Sequence, residues 1–364
     1  MIIWGIIAIA ILIVVHEAGH FAAAKALGVG VEAFSVGFGP ILLRKKIGET
    51  EYRISLIPLG GYVKLVGEND ETETGTETDQ KINSFSEKPV WKRAAIVSAG
   101  PITNLLIAVV FFIMSSWIGV TTLSSQIGKV LKGSPAYVAG IKKGDSIVSI
   151  NGSSVKTFRK MASIMKKSPG KRLRVVVNRD RGSKTIFVVP ELKQMKNIFG
   201  EKVAAGFIGV MPSGEKTLLR YSFFSGIKNG VYQSYRITYL TAESFVKLVS
   251  GKMSAKQLGG PIMIIKLAGE EANAGLGVFL FFLAIIGINL GILNLLPIPI
   301  LDGGHLFFFA IEAVRGKKLS DKVVSISQQV GMSLLILLMV FATYNDLARF
   351  FPHISSTVSS LFHK

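Results

Sequence analysis

Four stretches of this chain are solvated better by lipid than by water, and that constrains its fold before any motif is considered. Ala94 to Val120 carries no charged side chain over 27 residues, Ala272 to Leu301 none over 30, and Val323 to Asn345 none over 23. The remaining stretch, Met1 to Leu27, is interrupted only by His16, Glu17, His20 and Lys25. About 20 apolar residues cross the hydrocarbon core of a bilayer. The expected class is therefore a polytopic α-helical membrane protein with four transmembrane helices. The first stretch has no basic leader, and its apolar run continues into two histidines and a glutamate instead of a cleavage site. It reads as a retained span rather than a signal peptide. With no cysteine in the chain, disulfides and thiolate metal sites are excluded.

The formal charge of +19 invites a nucleic-acid partner, but its distribution points elsewhere. Residues 121–271 hold 26 Lys/Arg against 8 Asp/Glu, while the rest nearly balances. Basic side chains beside a bilayer are drawn to anionic headgroups. No motif of interleaved aromatic and basic residues is present. The lipid bilayer is the expected partner, and no nucleic acid. Four spans put both termini on one side. Lys25, Lys88, Lys92 and Arg93 flank the first long loop, and Arg315, Lys317, Lys318 and Lys322 lie in the last short one. Positive charge in short loops marks the cytoplasm, so both termini and the 121–271 segment are expected outside it.

Between the spans, VEAFSVGFG (Val31 to Gly39) and YRISLIPLGGYVKL (Tyr52 to Leu65) read as strands and tight hairpins with glycines at the turns. Glu68 to Gln80 follows with six acids in thirteen residues and no apolar side chain, which predicts a mobile, solvated stretch. Residues 125–190 read as a small αβ domain. It has a strand at Ile127 to Leu131, a capped helix in SPAYVAG, a strand within KKGDSIVSING, helical spacing over Phe158 to Lys167 and a hairpin around Arg181-Gly182. Over 216–250, apolar residues recur at helical spacing (Phe223, Ile227, Val231, Leu248 among them), as in an amphipathic helix on a membrane surface or one packed on a neighbouring domain.

The chemistry is concentrated in His16-Glu17-Ala18-Gly19-His20, an HExxH pentapeptide. Residues i and i+4 share a helix face, so both imidazoles can bind one ion, and Glu17 falls one position round, within reach of water at that ion. An unpaired carboxylate inside a span costs about 2.5–3.5 kcal/mol even on mild scales, so three ionisable groups in five residues call for a shared purpose. Catalytic zinc takes three protein ligands and keeps a fourth position open. The third ligand must come from another span. Asp302, which ends the third uncharged run after Pro297 and Pro299, is the expected carboxylate, with His305 three residues on as its competitor. His353 and His363 are expected to be incidental.

HExxH in a first span, followed by NxxPxPxLDG (Asn294 to Gly303), resembles the site-2 protease family of intramembrane zinc metalloproteases, in the bacterial branch that includes the regulator of sigma-E protease. GFGP (Gly37 to Pro40), PLGGYV (Pro58 to Val63) and AGPITN (Ala99 to Asn104) agree, and SPAYVAGIKKGDSIVSING resembles part of a PDZ domain. The resemblance implies Zn2+ held by His16, His20 and Asp302, Glu17 as general base, and Asn294 helping to hold substrate or oxyanion. It further implies a β-hairpin in 28–65 that associates with the membrane and pairs with extended substrate. Substrates would be single-span membrane proteins already cut by another protease, such as an anti-sigma factor or a remnant signal peptide, in the bacterial inner membrane. The implied organisation is a first span at 1–27, a cytoplasmic-side loop at 28–92 and a second span at 93–120. A PDZ-like domain at 121–215 and a membrane-surface helical segment at 216–271 precede the third span at 272–302. A cytoplasmic loop at 303–322, a fourth span at 323–348 and a tail at 349–364 complete it. One PDZ-like segment stands where the best-known bacterial relatives have two, and it lacks a GLGF-type loop, which argues against tight capture of a C-terminal carboxylate and leaves size exclusion or scaffolding open.

Other classes fit parts of the pattern. A transporter would show internal repeat symmetry between halves, and none is visible. A PDZ scaffold on four spans would make HExxH a coincidence. A conventional anchored metalloprotease would need HExxH outside the bilayer, whereas fifteen residues of an apolar run precede His16.

Overall fold

The structure, a computed structural model, describes residues 2–68, 83–180, 182–197, 199–255 and 259–350. The acidic stretch expected to be mobile lies outside the described residues from 69 onward, as do the turn residue Arg181 and the tail with His353 and His363. In chain order the elements begin with α1 (Ile2–Ala26), β1 (Val31–Ile47), β2 (Thr50–Leu65) and α2 (Val90–Ile118). Ten short strands follow, β3 (Val120–Leu123) to β12 (Lys216–Leu219), with α3 (Pro135–Val138) and α4 (Phe158–Lys166) among them. The chain continues through α5 (Phe223–Val249), α6 (Pro261–Asn273), α7 (Leu276–Leu295), α8 (Asp302–Arg315) and α9 (Asp321–Phe350). It divides into two compact units, one of residues 1–115, 227–245 and 254–364, the other of 116–226 and 246–253.

The first unit contains α1, α2, α7 and α9, the four helices among the described residues that are long and apolar enough to cross a membrane. Their cores form where small residues let helices approach. Ala8 and Leu12 of α1 pack with Ala268 of α6 and with Phe279, Leu280 and Leu283 of α7. Ala108 and Phe112 of α2 meet Ala284 and Ile288 of α7. At Gly19 a Cβ would lie 2.5 Å from Thr103 Oγ1 and 2.6 Å from the Ala99 carbonyl, so only glycine permits this crossing of α1 and α2. Asp346, fully buried on α9, accepts hydrogen bonds from the amides of Gly260 and Met263, both 2.9 Å, and so caps α6 across the fold. Elsewhere α9 is nearly bare, with Val330, Leu337 and Val340 among its exposed apolar side chains, as expected of a helix whose other neighbour is lipid.

β1 and β2 are longer than a simple hairpin needs, and each doubles back. Phe34 aligns with both Val63 and Tyr52, and Val36 with both Gly61 and Ile54, while Leu43 to Ile47 align with Ile54 to Thr50. Read arm by arm, the order is 41–47, 50–55, 33–36, 61–64. The corners are GFGP, where Gly37 and Gly39 have φ of +94° and +84°, and the Pro58 to Gly61 segment. Positive φ carries no steric penalty at glycine, which suits it to the first corner; at the second, a Cβ on Gly61 would lie 2.8 Å from the Ser35 carbonyl oxygen. Phe38, Leu42, Leu43, Ile54 and Leu56 are exposed along the bent strand pair.

The second unit has its own core of Ile127, Ile147, Ile150, Met161, Val175, Val177, Val188 and their neighbours. Its largest sheet runs β6 (Ser153–Ser154), β5 (Ser146–Ile150), β7 (Leu173–Arg179), β8 (Gly182–Val188). Ser134 and Thr157 cap α3 and α4 through their hydroxyls. Asp145, fully buried, takes two 2.7 Å hydrogen bonds from Arg179 and one from the Lys142 amide. The strands and helices anticipated over 125–190 are all present. The pairs β9 (Glu191–Lys196) with β10 (Lys202–Phe207) and β11 (Val210–Pro212) with β4 (Ile127–Val130) extend the fold beyond them.

Three elements differ from the sequence expectation: the segment read as helical over 216–250 opens with strand β12, and its helix α5 starts at Phe223. The third long helix stops at Leu295 instead of 302, because Pro297 and Pro299 cannot continue it. Residues 303–322, expected as a loop, are mostly helix α8, which Asp302 opens as an acidic residue in the first turn.

Candidate active site

The first unit brings the HExxH face of α1 against the broken segment that joins α7 to α8. His16 and His20 lie one turn apart with ring centroids 4.7 Å apart and planes at 84°. Their Nε2 atoms are 3.1 Å apart. Asp302 Oδ2 is 3.1 Å from His16 Nε2 and Asp302 Oδ1 is 3.6 Å from His20 Nε2. One donor atom from each of the three lies within 4.8 Å of the others, and no other such cluster occurs among the described residues. His305 lines the same cavity but stands outside this cluster.

The joining segment holds Asp302 in place through backbone that only small residues allow. Ile300 has φ of +92°, a strained value for a β-branched residue. A Cβ at Gly303 would collide with the Leu296 carbonyl, one at Gly304 with the Ile298 carbonyl, and one at Gly331 of α9 with the Pro299 carbonyl. The two prolines and the glycine pair thus fold PIPILDGG into a turn clamped from both sides. Irregular backbone of this kind is tolerated at membrane depth where it lines a wet cavity.

A cavity of about 1110 Å³ opens onto the cluster. Glu17, Tyr62, Glu68, Arg93 and Glu312 share its wall with the three donors. Glu17 points toward β2, where a Cβ at Gly61 would come within 3.3 Å of its Cγ. Asn294, near the end of α7, sets its Nδ2 3.4 Å from His16 Nε2. The structure therefore gathers all five residues that the sequence singled out: His16, Glu17, His20, Asn294 and Asp302.

The helix α2 contributes groups that were not assigned a role from sequence. The Nδ1–H of His20 donates to the Ile96 carbonyl at 2.9 Å, which leaves its Nε2 directed at Asp302. Asn104 Nδ2 is 3.4 Å from His16 Nδ1, and its side chain is 1% exposed. Gly100, between them, admits the two imidazoles, since a Cβ there would collide with His20 Nε2. Pro101 removes one amide from α2 and so frees the Val97 carbonyl, on the cavity wall. Arg93 forks onto Glu312 at 2.6 and 3.1 Å and covers Phe309, tying α2 to α8. Asn104 belongs to the AGPITN motif, which is the one sequence signal that pointed to it.

The donor set itself is suited to zinc. Two imidazoles and a carboxylate leave a tetrahedral ion one open position.

The model of peptidase family M50 matches residues 4–338. A protein described as a candidate zinc metalloprotease in Campylobacter jejuni is 38% identical over 344 residues, covering 94% of this chain and 92% of its own length. The protease RseP of Yersinia pestis is 32% identical, covering 94% of this chain and 97% of its own. Among solved structures, the PDZ domain of an SdrC-like protein from Listeria monocytogenes matches 25% of this chain and 86% of its own, at 14% identity and a TM-score of 0.20. A family match over residues 4–338, on top of a three-donor cluster built from the motifs that carry the resemblance, settles the kinship: this chain belongs to peptidase family M50, the site-2 proteases.

Proposed function

We propose that this chain is an intramembrane zinc metalloprotease in which His16, His20 and Asp302 hold the ion and Glu17 moves the proton. The observation that carries the reading is the meeting of those three donors, from helices distant in sequence, on the wall of one cavity. When bound, zinc supplies a Lewis acid that polarises the scissile carbonyl and makes water acidic enough to attack near neutral pH. Glu17 accepts the proton from the attacking water and returns it to the leaving amine. Asn294 is placed to donate its amide N–H to the carbonyl oxygen as negative charge develops there. The 61–64 arm of β2, an outer arm of the sheet and beside Glu17, offers an unwound substrate backbone partners for the hydrogen bonds it loses.

The substrates of this reading are single-span membrane proteins shortened by an earlier cleavage, in a bacterial inner membrane. The exposed apolar side chains of the hairpin fit contact with lipid. The PDZ-like domain at 121–215 and both termini lie outside the cytoplasm, on the positive charge flanking the other loops. Since the natural chain has no cysteine, single cysteines placed at 132 and 317 would report the two sides by labelling in intact cells.

Purified protein is expected to hold about one zinc per chain, as one three-ligand site allows. Asp302→Asn and His16→Ala should each empty it, and Glu17→Gln should keep the metal while losing about 10²–10⁴ of the cleavage rate on a transmembrane substrate. Full zinc in Asp302→Asn would transfer the third position to His305, and turnover by Glu17→Gln within about tenfold of wild type would remove Glu17 from proton transfer.

A further inference from the structure

One buried polar group next to the cluster has no role in the chemistry above. Asn104 lies inside the second span, 1% exposed, and its Oδ1 has no hydrogen-bond partner among the described residues. Its Nδ2 faces His16 Nδ1 at 3.4 Å. On the same ridge of α2, at i, i+4 and i+8, stand Ile96, Gly100 and Asn104. Ile96 accepts the Nδ1 proton of His20 through its carbonyl, and Gly100 clears space for both rings. The third position of the ridge faces His16.

We propose that Asn104 is a positioning residue for the metal: its side-chain carbonyl accepts the Nδ1 proton of His16 and thereby presents the Nε2 lone pair to zinc. The inference rests on the zinc reading of the site and deepens it. A neutral imidazole carries one proton. His16 Nε2 faces Asp302 at 3.1 Å, His20 Nε2 at 3.1 Å and Asn294 Nδ2 at 3.4 Å, and its closeness to the other two members of the donor cluster identifies it as the ligating atom. The proton must then sit on Nδ1, and a proton there needs an acceptor. An amide N–H facing it provides none, whereas the two ends of an asparagine amide are nearly isosteric. A half-turn of the amide plane puts the unpartnered Oδ1 where Nδ2 now lies. Histidine ligands are held in the correct tautomer by such outer partners. Here α2 supplies both, a backbone carbonyl for His20 and a side-chain carbonyl for His16.

The variants that separate acceptor, donor and packing roles are Asn104→Asp, which can only accept, and Asn104→Leu, which does neither at similar volume. The measurement is zinc affinity of the full chain in detergent by chelator competition, with the visible spectrum of the cobalt-substituted protein as a report on ligand geometry. Asn104→Leu should weaken binding by about 10–100-fold and alter the cobalt spectrum, without reducing stoichiometry at saturating metal. Asn104→Asp should restore affinity to within about threefold of wild type, or tighten it, because an acceptor persists. Unchanged affinity and spectrum in Asn104→Leu would overturn the proposal. So would an Asn104→Asp variant that remains folded by circular dichroism yet binds as weakly as the leucine variant, since that would make the N–H or the packing the needed feature. If Asn104→Leu does not fold, the Asp variant alone decides. Failure of the parent chain to bind one zinc would instead overturn the metal site itself, which keeps the two results apart.

Discussion

Gly100 marks the point where α2 passes the two histidines, and its missing side chain is what lets their rings reach Asp302 from the other side. A methyl group there would collide with His20 Nε2 and would come within 2.8 Å of His16 Cε1. Alanine is the better helix former by about 1 kcal/mol, so on helical grounds Gly100→Ala would stabilise α2. The expected outcome is the reverse for the site: zinc content falls well below one per chain while the helical circular dichroism is retained. Normal zinc loading in Gly100→Ala would show that α2 can withdraw without loss. HExxH and the prolines around Asp302 were legible in sequence because their constraints are local: four residues set a shared face, and a proline ends a helix wherever it falls. Asn104 and Gly100 were not, because their meaning depends on which neighbour α2 presents to α1, and nothing within AGPITN encodes that.

At the scale of elements, the hairpin shows how a short motif acquires a use only when folded. GFGP and PLGG read as turns, yet they are corners at which two long strands bend so that four arms form one sheet and the 61–64 arm lies beside Glu17. In place of the loop expected after the third span stands α8, and a contact distant in sequence ties it to α2. Arg93 on α2 is 8% exposed and Glu312 on α8 is 14% exposed, and the two form a forked ion pair across the cavity wall. Removing one partner from a buried pair leaves an uncompensated charge and costs about 3–5 kcal/mol, whereas replacing both by apolar groups is often nearly neutral. Arg93→Leu or Glu312→Leu alone should therefore lower the thermal midpoint in detergent markedly, and the double variant should recover most of the loss. Additive destabilisation in the double variant would mean that the two side chains act independently.

For the molecule as a whole, the larger segment of the second unit is inserted in the chain between the second long helix and α5. Its ends are brought together by β3 and β12, which pair from Val120 opposite Leu219 to Leu123 opposite Lys216. Trp117 and Phe223 stack beyond that ladder with centroids 5.0 Å apart, and Arg220 donates to the Trp117 carbonyl at 2.7 Å. The unit's apolar core is drawn from its own strands and from α3 and α4. A segment whose two ends meet and whose core is internal can be removed without pulling a strand from the remainder. None of His16, Glu17, His20, Asn104, Asn294 or Asp302 belongs to it. Replacing 124–215 by a short Gly/Ser linker should thus leave one zinc per chain, and should leave cleavage of a pre-trimmed substrate within a few-fold of wild type. If the unit restricts access by size, the shortened enzyme should also cut a substrate that still carries its large outer domain, which the full chain refuses. The comparison is a two-by-two assay of long and trimmed substrate with both enzymes. Continued refusal of the long form by the shortened enzyme, with the trimmed form still cut, would place the selection within the membrane unit. Loss of zinc on removing the insert would show instead that the membrane unit depends on it for its own fold.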